Sequence, residues 1–173
     1  MNQYVNYSTQ EFWKADRLNI IEGFINSPSK GCISTQLNKK PQAINRTLRY
    51  TRNLIEAENN AQLVLLAYRS GVLSNQSILS IEKSAQKVKL ELNNCWNGYN
   101  ISIPNAMALG VTIQSLAIQK NVAVSTLYNT ASYTKSKIGL NSYELFVLIA
   151  YLKNVLSTAA YNKIEFLHQK IAS

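Results

Sequence analysis

Apolar residues recur along this chain at helical rather than strand spacing. Ile78, Ile81, Ala85, Val88 and Leu92 follow one another at intervals of three and four, which draws a single apolar stripe along one helix. Polar punctuation marks where the helices start. Ser8 with Glu11 forms a capping-box pair ahead of an amphipathic helix reaching about Ile25. A short helix is expected near Ile33–Leu37, and Pro41 suits the first position of a third helix ending near Ile55. Asn59 with Gln62 opens a fourth that runs to about Leu73, and a last helix covers about 75–92. Farther on, Pro104 starts a short helix, Thr112 caps the next, Asn141 with Glu144 opens another, and a final helix covers about 158–171. The last helix of each set is expected to pack within the chain rather than to serve as a coiled-coil surface.

The pattern is written twice. Val64-Leu-Leu-Ala-Tyr68 returns as Val147-Leu-Ile-Ala-Tyr151, an offset of 83. Carried outward without a gap, that offset pairs Trp13 with Trp96, Gln36 with Gln119, Asn38 with Asn121, Thr51 with Thr134 and Ile81-Glu82 with Ile164-Glu165. It yields 19 identities in 83 positions, where unrelated sequence would yield roughly five on ordinary residue frequencies. Shared apolar periodicity does not explain paired tryptophans or matched polar residues. The expected fold is therefore all-α, with two tandem domains at 8–90 and 91–173 related by internal duplication. A short helix, a tight turn and a longer polar helix in each is the pattern that makes them expected helix-turn-helix domains. The Asn-x-x-Gln/Glu starts stand 82 apart instead of 83, as a one-residue loop slip would produce.

Composition narrows the chemistry. Three Pro and six Gly against ten Tyr favour helices over a turn-rich β fold. The runs Leu63–Tyr68 and Leu145–Leu152 are the most apolar and are far shorter than the roughly 20 residues of a membrane span. The stretch from Met1 to Asp16 does not read as a signal peptide. Cys32 and Cys95 stand far apart with no CxxC and no histidine cluster, so neither a disulfide framework nor a zinc site is indicated. One histidine, His168, and nine scattered carboxylates supply no nucleophile–base pair. The reading is a cytoplasmic protein that is not an enzyme and needs no cofactor or metal.

Charge adds the positive direction. Eighteen Lys/Arg against nine Asp/Glu leave a formal charge of +9, which favours anionic polymers as partners. The first half holds 12 cations against 6 acids and the second 6 against 3, or +6 against +3. Lys39, Lys40, Arg46, Arg49 and Arg52 crowd into one short stretch with no acid between Lys39 and Ile55, where a solvated helix face usually alternates signs.

The segment Gly110–Gly139 resembles the LuxR/GerE-type helix-turn-helix. Leu116-Ala117, Ser125-Thr126-Leu127 and Lys137-Ile138-Gly139 fit that family's Ile-Ala, Ser-Thr-Val and Lys-Leu-Gly, and Asn141 through Ala150 fits its fourth helix. The resemblance covers about 105–152. It implies that Leu116, Ala117, Val124 and Leu127 are core positions and that Ser125 to Lys137 is the recognition helix. Ser125, Tyr128, Asn129, Ser132, Lys135 and Lys137 would then lie toward double-stranded DNA. Tyr128 and Thr130 stand where the family often carries Lys and His, so its usual base contacts do not transfer.

The duplication brings in the first half, with Ile33, Ile44 and Ile55 as apolar anchors and Lys39, Lys40, Gln42, Asn45, Arg46, Arg49 and Arg52 as DNA-facing residues. By the same resemblance the segments 61–73 and 144–156 would pair, within one chain as a pseudo-dimer or between two chains. The leading expectation is a sequence-specific transcriptional regulator. The alternatives are an all-helical adaptor that binds a partner protein, with Tyr68, Tyr151 and the tryptophans as contacts, and a plasmid or phage replication, packaging or partition factor.

Overall fold

A computed structural model describes residues 12–27, 30–89 and 98–172, and among these it contains ten helices and no strand. In chain order they are α1 (Ala15–Asn26), α2 (Lys30–Gln36), α3 (Pro41–Ile55), α4 (Asn60–Arg69), α5 (Asn75–Lys89), α6 (Tyr99–Leu109), α7 (Ile113–Lys120), α8 (Val124–Lys137), α9 (Tyr143–Leu152) and α10 (Thr158–Ala172). The Ser8–Glu11 cap and Trp96 lie outside the described residues.

Side-chain caps set most starts, because the first turn of a helix has backbone donors with no partner of their own. Asn59 accepts from the Gln62 N–H ahead of α4, and Thr112 accepts from the Ser115 N–H ahead of α7. Ser74 and Ser157, 83 apart, accept from Ser77 and Ala160 at the starts of α5 and α10. For α9 the cap is Ser142, whose hydroxyl accepts from the Leu145 N–H, and not Asn141. Asn59 and Ser142 are 83 apart, so no loop slip separates these starts.

Two further boundaries differ from expectation. Pro104 does not begin a helix; it sits buried inside α6, which starts about a turn and a half earlier at Tyr99. A proline that deep removes one ladder bond and crowds the carbonyl four residues back, yet the helix runs on through it, with Ile103, Ala106 and Ala108 buried. Helix α4 ends at Arg69, short of Leu73, because Gly71 turns the backbone into the left-handed region at φ 66° and the Val72 N–H bonds back to Ala67. Leu73 is nonetheless buried beyond the turn, which is why apolar spacing alone extends the helix too far. The second half turns alike, with Asn154 at φ 55° and the Val155 N–H on Ala150.

Helices α4 and α9 occupy the middle and make the most extensive helix–helix contact among the described residues. Ala61–Ala67 and Leu145–Ala150 are all buried, as expected of helices that are apolar on every side. Helices α1, α5, α6 and α10 pack around this pair, so one hydrophobic core runs through both halves. The segments expected to pair therefore do so within one chain. The contacts linking the halves are reciprocal. Asn59 Nδ2 donates to the Met107 carbonyl at 2.7 Å, and Ser142 Oγ donates to the Phe24 carbonyl at 2.6 Å. Ser142 stands 83 after Asn59, and Met107 stands 83 after Phe24.

Candidate nucleic-acid interface

In each half a short helix, a tight turn and a longer helix follow one another. The turns are built alike. Asn38 and Asn121 hold φ 48° and 51°, a conformation asparagine tolerates better than most residues. The next amides, Lys39 and Val122, bond back to Ser34 and Ala117, both at 3.1 Å. Ser34 Oγ also donates to the Lys39 carbonyl, which ties the first turn shut.

Helix α3 has one apolar face and one polar face. Ile44, Leu48, Thr51 and Ile55 are its buried residues, and the helix packs on α1, α2 and α4. Gln42, Asn45, Arg46, Arg49 and Asn53 are exposed, as is Lys40 at the turn, while Lys39 is half-buried. Arg52 is not part of that exposed set, since its guanidinium donates to Asn60 Oδ1 at 3.2 Å and it is half-buried. Residues three apart step back by about 60° around the axis, so a series at 46, 49 and 52 drifts from the outer face toward α4.

The longer helix of the second half, α8, buries Leu127, Ala131 and Thr134, while Leu116 and Ala117 of α7 are buried and Val124 is half-buried. Ser125, Tyr128, Asn129, Ser132 and Lys137 are exposed. Lys135 is half-buried and engaged: its ammonium donates to the Asn141 carbonyl at 3.1 Å and lies 5.2 Å from the Tyr143 ring centre. Ser132 Oγ shares a 2.8 Å hydrogen bond with the Tyr143 hydroxyl.

Two further groups at or beneath this surface lie outside the cation series. Tyr50 and Tyr133, 83 apart, are exposed to 54% and 69% on α3 and α8. Their identity at that offset, and the spacing of four from Arg46 to Tyr50, are the signals that mark them. Arg17 of α1 is the other. It is buried, its guanidinium donates to the Phe12 carbonyl, and that group lies 5.5 and 5.4 Å from the Phe12 and Tyr50 ring centres.

At the C-terminal end of α3, Glu56 pairs with Lys170 of α10, and the hydrogen bond and charge of that lysine hold its carboxyl below the ordinary glutamate range. Among the described residues no group of three or more His, Cys, Asp or Glu could hold a metal, and no helix is long and apolar enough to cross a membrane. Comparisons with protein-family models, with curated proteins and with solved structures find no match.

Proposed function

We propose that this chain is a sequence-specific double-stranded DNA-binding protein, a transcriptional regulator in which two duplicated LuxR/GerE-like helix-turn-helix units form an intrachain pseudo-dimer. The observation that carries the reading is the outer face of α3. Behind a short helix and a tight turn it offers Arg46 and Arg49, the amides of Gln42 and Asn45, and no acid. Guanidinium groups neutralise phosphates and read guanine edges, and side-chain amides read adenine. The reciprocal bonds of Asn59 and Ser142 support an approximate two-fold relation with α4 and α9 on its axis. Proteins of the resembled family commonly dimerise through the equivalent helix. A two-fold reader addresses half-sites about one turn of DNA apart.

Selection of bound sequences from random duplexes, followed by binding across a salt series, tests the reading. Replacing Arg46 and Arg49 by Ala should flatten the dependence of log K on log salt by nearly two, at roughly 0.9 per phosphate contact. Identical curves for the two proteins would overturn it.

A second reading has one observation in its favour. Ile118 is 80% exposed beside Val122 and Ala123 at the second turn, where the first half has Thr35, Lys39 and Lys40. An adaptor would use that apolar turn to hold a protein. Loss of partner capture by Ile118→Ser, with no retardation of DNA by the wild type, would put this reading ahead.

A further inference from the structure

A groove of about 320 Å³ lies between the start of α1 and the middle of α3, lined by Lys14, Asp16, Arg17, Arg46, Thr47 and Tyr50. Its charge is three cations against one acid. Arg17 forms the wall. It is only 8% exposed, and among the described residues no carboxylate lies within ion-pairing distance of it. Its neighbours are a carbonyl oxygen and two aromatic rings, which orient a guanidinium but do not neutralise it. A guanidinium this deeply buried gains when an anion is placed against it. Arg46 and Thr47 belong to the same helix as the exposed face proposed to read bases, so an anion in the groove would lie alongside that face.

We propose that this groove seats a phosphodiester of the DNA backbone. Lys14 and Arg46 supply charge at the mouth, Arg17 supplies a pre-oriented guanidinium and the Thr47 hydroxyl supplies a neutral donor. The proposal rests on the DNA reading and adds a fixed anchor that sets the register of α3. It also distinguishes the halves. At the duplicate positions of Lys14, Asp16, Arg17 and Arg46 the chain has Asn97, Tyr99, Asn100 and Asn129, with no cation among them. The first half therefore carries an electrostatic clamp that the second lacks, so the phosphate contacts and the salt dependence concentrate on one half of the bound duplex.

The test uses the full chain with duplex DNA across a salt series, for wild type, Lys14→Gln, Asp16→Asn and, as an exposed lysine outside the groove, Lys83→Gln. Lys14→Gln should weaken binding to all sequences alike and flatten the salt slope by about one. Asp16→Asn should tighten binding, and Lys83→Gln should do neither. Arg17→Gln is a poorer probe because it also releases Phe12 and Tyr50. If duplex binds but Lys14→Gln and Asp16→Asn behave as Lys83→Gln does, the groove proposal is overturned and the DNA reading stands. If wild type binds no duplex, the DNA reading falls, and the dinucleotide TpT followed by amide chemical shifts decides the groove alone. Shifts confined to 14–17 and 46–50, and lost in Lys14→Gln, support it; no shifts overturn it.

Discussion

At the scale of single residues, Gln62 shows how a polar group survives at the centre of an apolar helix. It is fully buried, its Nε2 donates to the Ala108 carbonyl at 2.9 Å, and its Oε1 accepts from the Glu58 N–H at 2.7 Å. Both ends of the amide are used, and one end reaches the other half of the chain. Gln62→Met keeps the length but strands the Ala108 carbonyl, and should cost roughly 1–3 kcal/mol. A lower midpoint in urea unfolding with an unchanged slope would be the readout. Leu65, also fully buried, answers to volume alone. Leu65→Ala should cost about 2–5 kcal/mol by cavity formation, and Leu65→Lys should abolish the folded circular-dichroism spectrum, because an unpaired ammonium has nowhere to go.

Helices are legible in the sequence wherever a capping side chain and the apolar period agree. Pro41, Asn59 and Thr112 mark starts that the structure keeps. Adjacent Asn141 and Ser142 are both good caps, and only the burial of Leu145 onward selects the second. The cation series is legible as composition, yet its geometry is not, since the helical step turns Arg52 toward Asn60. The groove beside α3 escapes for a different reason. Arg17 and Tyr50 meet by packing of α1 on α3, and nothing local in either segment announces that contact.

The Glu56–Lys170 pair ties α3 to α10 with an exposed carboxylate, which water screens, so its worth is at most about 1 kcal/mol although the lysine side chain is largely covered. Its carboxyl is held low when folded, so its contribution is present above the unfolded value and disappears as pH falls through the folded one. Glu56→Gln should therefore be less stable than wild type at neutral pH and match it below the ordinary glutamate range, as thermal unfolding at stepped pH would show. Lys170→Ala is a poorer probe because it also removes the ammonium from the Phe166 ring.

For the whole molecule, the shared core predicts that neither half folds alone. Cutting after residue 90 would remove the helix with which α4 makes its most extensive contact and bare part of α4, whose residues Ala61–Ala67 are all buried in the intact chain. A fragment of residues 8–90 is expected either to unfold or to associate through α4, replacing α9 by a second copy of α4. Sedimentation of that fragment beside the intact protein checks this: a folded, monomeric fragment at high concentration would contradict the shared core.

The α4–α9 contact also changes which laws govern assembly. Separate subunits meet by diffusion, and their union fades with dilution by mass action. Here the two partners are tethered through α5 and the segment before α6, so each sees the other at a fixed effective concentration. Refolding should then be first-order, with a rate and a thermal midpoint that do not move over a hundredfold range of protein concentration. Dilution, which disarms an ordinary two-subunit protein, should leave the α4–α9 contact intact.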